Sequence, residues 1–319
     1  MTDIIGDNPS KISLKWKVIA WWKGYDVADL EQKRQMPTPP PPRADKPLAK
    51  TGDEKPHWNH ERIKVSQLIW GEGFCGPGGV QNIIHMSKLL AFSPKMSAVV
   101  IGAGLGGPSR VLAKKFGVWV NGYESSPDLA QEAMKISVAK GLEKKAPIAH
   151  LDLNGPLSFE RSFDRAFSKE TLYSIKNKAA AITSIYHHLK DDGLFLFTDF
   201  VLNDHYSHTH PDVYDWIQNE PLPPFPATSG DLISLLEGNH FSIRIQEEIT
   251  DQYMDMVNEA WAKAEKLALL LSEDGESGRS NMFAILREAE LWNRRIKALR
   301  SGELKLYRYL AHKTSQQTP

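Results

Sequence analysis

Val99-Val100-Ile101-Gly102-Ala103-Gly104-Leu105-Gly106-Gly107 leaves an apolar strand, turns on glycines and leads into a helix over 109–116. Glycines permit backbone torsions closed to other residues and let a ligand lie against bare main chain. Gly102, Gly104 and Gly107 satisfy the spacing G-x-G-x-x-G. Glu124 stands 22 positions after Gly102, close to the roughly 20 at which a carboxylate accepts hydrogen bonds from ribose hydroxyls. Strand, loop, helix, strand and acid in this order imply a ligand containing a nucleoside.

Outward from the loop the same alternation continues. Ser97–Ile101 and 118–123 read as strands, and 127–140 as a helix with Pro127 in its first turn. Further strands are expected at 148–151, 163–167 and 194–201, with a helix over 176–189 between the last two. A helix from Asp231 leads to a strand at 241–249, long helices at 252–271 and 282–300, and a closing strand at 304–311. The pattern predicts an α/β fold: a Rossmann-like doubly wound, mostly parallel seven-stranded sheet with helical additions and a cap insertion.

The chain of 319 residues divides into three stretches. Residues 1–36 form a basic and aromatic segment, in which Ile12, Trp16, Ile19 and Trp22 share one helical face among lysines. Residues 37–56, opening on Pro37-Thr38-Pro39-Pro40-Pro41-Pro42, read as an extended linker. Residues 57–319 form the α/β domain, with the cap at about 203–228 and a helical insertion at about 252–300.

Lys+Arg 39 balance Asp+Glu 39, so no global field favours nucleic acid, and none is expected as a partner. One cysteine, Cys75, excludes an intrachain disulfide and a multi-cysteine zinc site, and suits a reducing compartment. No apolar run reaches the roughly 20 residues that span a bilayer. A cytoplasmic location is expected, peripheral to the inner face of a membrane if residues 11–23 act as an interfacial helix. The same segment could instead contact a partner protein, the domain itself or a second copy in a homo-oligomer. His205, His208 and His210 suggest a flexible loop more than a rigid ligand set, and no metal is expected.

Four further segments add to the glycine loop: Gly122-Tyr123-Glu124-Ser125, Leu151-Asp152, Phe163-Asp164-Arg165-Ala166-Phe167-Ser168 and Asp192-Gly193-Leu194-Phe195-Leu196-Phe197-Thr198-Asp199. With these pieces in order, the chain from about residue 57 to 313 resembles the class I S-adenosylmethionine-dependent methyltransferases. More narrowly, Trp70-Gly71-Glu72-Gly73-Phe74-Cys75-Gly76-Pro77-Gly78-Gly79, Ile249-Thr250-Asp251-Gln252-Tyr253 and 306–313 look like segments of phosphoethanolamine and glycine/sarcosine N-methyltransferase-like small-molecule enzymes.

The resemblance implies S-adenosyl-L-methionine as cofactor, its methionine part along Gly102, Gly104, Gly106 and Gly107. It implies the ribose on Glu124 beside Ser125, adenine near Asp152 and Leu153, and Ser168 at the strand edge. Cys75 and Gly76 would approach from the preceding segment, Cys75 as a lining residue, since methyl transfer needs no covalent enzyme intermediate. Glu170 matches an acidic position that contacts a substrate amine. Tyr173 offers a hydroxyl or a ring face for a cation, and His57 a base or gate.

Two departures stand out. Val100 occupies a place where many members of the class carry an acid, and Trp58 and Tyr173-Ser174 stand near the positions of a tyrosine and a histidine that latch over phosphobase substrates. The function expected is methyl transfer to a small molecule or lipid headgroup, with nitrogen favoured as acceptor and the substrate small or amphiphilic. The glycine loop alone also admits a flavin- or nicotinamide-dependent oxidoreductase. The departures admit a noncatalytic regulatory or assembly protein.

Overall fold

Strand β1 (Ser97–Ile101) is buried along its whole length, which is why it reads as an unbroken apolar run: helices cover both faces of the sheet it centres. The computed structural model describes residues 57–205, 210–271 and 275–314. The segments 1–36 and 37–56, and His208, lie outside the described residues.

Helices α1 (His60–Trp70) and α2 (Gly79–Ser87) and a short 3-10 turn precede β1. After it come α3 (Gly107–Phe116), β2 (Trp119–Glu124), α4 (Pro127–Ala139), β3 (Ile148–His150), β4 (Phe163–Lys169), α5 (Lys178–His188) and β5 (Leu189–Leu202). Then follow α6 (Pro211–Asn219), β6 (Ala227–Thr228), α7 (Ser229–Gly238), β7 (Phe241–Glu248), the long pair α8 (Thr250–Leu271) and α9 (Gly275–Arg300), and β8 (Leu304–Lys313). Seven strands run in the order β3-β2-β1-β4-β5-β8-β7, and the two-residue β6 adds an eighth by pairing with β5. β1 pairs in parallel with β2 and β4, while β8 is antiparallel to both of its neighbours, β5 and β7.

The expected elements are all present, with differences at their ends, while α1, α2, α6 and β6 have no counterpart among them. β5 begins at Leu189 rather than Leu194; Asp192, with φ 58°, kinks it, and its register with β4 shifts between Phe163 and Arg165. The last helix begins at Gly275, because the polar run before Met282 continues the helix.

Alternation along the strands sorts the core into two layers. Val100, Leu196 and Phe200 point to the side of α1, α8 and α9, where they join Trp216, Tyr253 and Trp292. Val99, Ile101, Phe195 and Phe197 point to the other side, against Ile182 of α5 and Leu232 of α7. The register then sets the position of the site. Ile101 lies opposite Tyr123 on one side and Ser168 on the other, so Gly102, Glu124 and the Lys169-Glu170 pair all emerge at one edge of the sheet. Strand order reverses at β1, the place where doubly wound sheets open a ligand crevice beyond the carboxyl ends of their strands.

Candidate active site

The glycine loop is held from below. Gly102 and Ala103 both donate their N–H to the Tyr123 carbonyl at 2.9 Å, and Gly106 N donates to Ala103 O at 2.8 Å. Gly102 has φ 70°, and a Cβ there would lie 2.0 Å from Thr171 Oγ1, so both torsion and space require glycine. Gly107 answers to close approach alone: its N–H donates to Gly73 O at 2.9 Å, and a Cβ would stand 2.5 Å from that oxygen. The buried Arg110 ties the loop to α4, donating to Leu105 O at 2.6 Å and Ala133 O at 3.1 Å.

Glu124 closes this end. Its Oε2 accepts from Gly104 N at 2.7 Å, and its Oε1 from Ser126 N at 2.9 Å and Ser125 Oγ at 3.3 Å. Burial raises its carboxyl above the usual range, while these hydrogen bonds pull the other way. Cys75 faces Gly104, its Sγ 3.2 Å from where a Cβ of that glycine would be. Burial, with Glu124 second, pushes the thiol up to about 12, which keeps it protonated and unreactive near neutrality.

One cavity joins these groups to a second set of side chains. Of the residues expected from the sequence, Cys75, Gly76, Gly102, Gly104, Glu124, Ser125, Glu170 and Tyr173 line it. Six others do not. Gly106 and Gly107 pack under the loop against Ile148 and Phe74. Ser168 is buried and donates to Ile101 O at 3.0 Å. Leu153 belongs to the core, because β3 ends at His150 and the chain turns inward there. Asp152 is exposed and accepts from Asn154 N at 2.9 Å. His57 lies beside Arg62, whose Nη1 is 2.7 Å from Nδ1; burial first, then Arg62, lowers the ring to about 3 and keeps it neutral. Its neighbour Trp58 lines the cavity in its place.

Glu170 sits in the left-handed region with φ 45°, unusual for a side chain of its length. Its N–H donates to Thr198 O at 2.8 Å, its Oε1 accepts from Thr198 Oγ1 at 2.7 Å, and its Oε2 pairs with Lys169. A strained backbone held by three contacts at a cavity wall is what functional positions show.

Arg295, Tyr253 and Trp292, from the two long helices, also reach the cavity. Arg295 Nη2 donates to Glu220 Oε2 at 2.8 Å, and Trp216 Nε1 donates to Glu220 Oε1 at 2.7 Å. Burial, the largest single effect, works against the guanidinium charge, but Glu220, joined by Tyr173 and Tyr253, raises Arg295 above its ordinary value. Nothing in the sequence motifs singled out Arg295. The available signal was an arginine within an apolar helical stripe, three residues after Trp292 and four before Leu299.

Among the described residues no group of three or more His, Cys, Asp and Glu is placed to hold a metal ion. No helix of the described residues is long and apolar enough to cross a membrane.

The strand order, the glycine loop after β1 and the acid at the end of β2 define the class I S-adenosylmethionine-dependent methyltransferases, the class expected from the sequence. Residues 83–244 match the family described as "Methyltransferase domain", and the chain belongs to that family.

Among curated proteins, the chain is 25% identical over 200 residues to phosphoethanolamine N-methyltransferase 3 of Arabidopsis thaliana, covering 63% of this chain and 40% of that protein. It thus spans well under half the length of that relative. Among solved structures, phosphoethanolamine N-methyltransferase 2 of Haemonchus contortus in complex with S-adenosyl-L-methionine superposes with a TM-score of 0.69 at 20% identity, covering 79% of this chain and 57% of that one. The cyclopropane synthase MmaA2 of Mycobacterium tuberculosis superposes with a TM-score of 0.64 at 14% identity, covering 80% of this chain and 94% of that one. None of these matches favours the redox alternative.

Proposed function

We propose that this protein transfers a methyl group from S-adenosyl-L-methionine to the nitrogen of a small molecule. The observation that carries the reading is the meeting, in one cavity, of the Glu124-capped glycine loop with Glu170 in its strained, triply held setting. Nitrogen is favoured because phosphoethanolamine N-methyltransferases of Arabidopsis thaliana and Caenorhabditis elegans are among the curated relatives, beside a sterol 24-C-methyltransferase of Yarrowia lipolytica at lower identity.

The residues suit the cofactor. The bare main chain at Gly102 and Gly104 leaves room that a Cβ would fill, and Glu124 is a buried acceptor at the distance along the chain that a ribose requires. Bound there, the cofactor supplies a methyl carbon activated by a positive sulfur. The chain's own work is then alignment and proton handling. Gly102 and Gly104 cradle the methionine part, and Glu124 accepts from the ribose. Cys75, held as a thiol, fills space beside the loop. Glu170 keeps unused lone pairs beyond Lys169 and Thr198; with these it orients the acceptor nitrogen and takes up its proton. The aromatic side chains of α8 and α9 exclude water from the acceptor end.

Calorimetric titration with S-adenosylhomocysteine tests this. Binding at one site per chain, lost in Glu124→Ala, is expected; folded protein that gives no heat of binding sinks the proposal.

A further inference from the structure

The acceptor end of the cavity has a charge arrangement that bears on the substrate, given the methyl-transfer reading above. Two cations line it, Lys169 and Arg295. Lys169 is paired with Glu170, and Arg295 is held by both oxygens of Glu220, whose side chain is 3% exposed. A third cation, Arg62, stacks 4.1 Å above the Trp58 ring at the rim and is paired with Glu288. Among the described residues lining the cavity, every cation already has a carboxylate of the chain as its partner.

A phosphate ester needs free cationic donors, with Arg offering its planar fork to two oxygens at once. Here that fork is taken by Glu220. A phosphate entering would either displace a buried carboxylate or face Glu170 and Glu220 with like charge, and both are costly away from water.

The same end offers something else. Tyr173, Phe200, Tyr253 and Trp292 all line the cavity, and their rings form a continuous wall. Centroids lie 5.2 Å apart for Tyr173 and Phe200, 5.7 Å for Phe200 and Tyr253, and 6.4 Å for Tyr253 and Trp292. Such a wall buries an apolar body, while two of its rings already hold the chain's own cations, Lys169 at 5.7 Å from the Tyr253 ring and Arg295 at 4.8 Å from the Trp292 ring, so the nitrogen is left to Glu170.

We propose that the acceptor is an amine carried on an apolar body without an anionic group, of the arylalkylamine kind, and that this chain has turned its acceptor site away from phosphorylated amines. Glu170 receives the nitrogen, the rings receive the body, and Glu220 withholds Arg295 from any phosphate.

The test is calorimetry on the full chain saturated with S-adenosylhomocysteine, titrated with phenethylamine and with O-phosphoethanolamine. Phenethylamine is expected to bind at least about tenfold more tightly, a difference of about 1.4 kcal/mol. Equal or tighter binding of phosphoethanolamine overturns the proposal, as does failure of phenethylamine to bind. In Glu220→Gln, which frees the guanidinium while keeping an amide beside it, phosphoethanolamine is expected to gain about tenfold while phenethylamine moves less than about threefold. A folded variant with no such gain overturns the role given to Glu220. If that variant fails to fold, the comparison on the unaltered protein still decides. Absence of S-adenosylhomocysteine binding is a separate failure, which removes the methyl-transfer reading and this one with it.

Discussion

The two ends of the cavity are made from different materials. The donor end is main chain: four residues after β1, a carbonyl of β2 and one carboxylate fixed by the amides of Gly104 and Ser126. The acceptor end is side chain, with rings and ion pairs brought together from β4, β5, α8, α9 and the segment after α6. Main-chain geometry is set within a few residues and tolerates little change. A wall of side chains can be rebuilt one residue at a time, so specificity is expected to diverge there while the donor end holds.

Substitutions at each end should therefore separate affinity for the cofactor from turnover. The largest effect is expected for Gly102→Ala. The left-handed torsion costs about 1–3 kcal/mol, and the new Cβ meets Thr171. Affinity for S-adenosylhomocysteine should fall more than about a hundredfold with a lowered melting temperature; retention of both in a folded variant breaks the account of the donor end.

Glu170→Gln should do the reverse, reducing kcat/KM for an amine acceptor about a hundredfold while S-adenosylhomocysteine binds within about twofold. Steady-state kinetics and calorimetry on the same preparation check it.

Glu124→Gln is expected to weaken S-adenosylhomocysteine about twentyfold, the worth of a charge-assisted hydrogen bond of about 1.5–3 kcal/mol. The pH dependence sharpens this. Because burial holds the Glu124 carboxyl above its ordinary value, its contribution to stability is complete below that ordinary value and drains away as pH rises through the raised one. Cofactor affinity needs the ionised carboxylate and increases over the same window. Melting temperature without ligand and the ligand-induced shift should then move in opposite directions with pH, and Glu124→Gln should flatten both curves. The smallest effect is expected for Thr198→Val, which removes the 2.7 Å hydrogen bond to Glu170: about a fivefold loss in turnover, for a bond worth about 1 kcal/mol.

The same contrast explains what the sequence revealed. β1, the glycine loop and Glu124 were legible because local spacing determines them: a strand of β-branched residues, glycines where torsions demand them, and an acid one crossover later. Glu170 was legible only through resemblance. Arg295 and Glu220 lie 75 residues apart and meet through the packing of α9 on α6, which no periodicity announces. Trp292 shares an apolar helical stripe, and helical spacing does not distinguish a ring in the core from one at a cavity wall. Asp152 stands just past β3, and its exposure was not legible, since the direction of the chain after His150 depends on the burial of Leu153.

Among the described residues β8 is the last strand in chain order, yet it lies inside the sheet, bonded to β5 along one edge and β7 along the other. During synthesis, β5 and β7 must therefore wait with open edges, a state that invites pairing with other chains, until the segment ending at Lys313 has left the ribosome. A chain halted before Lys313 therefore keeps the inner edges of β5 and β7 open, and those edges are where pairing with other chains is invited.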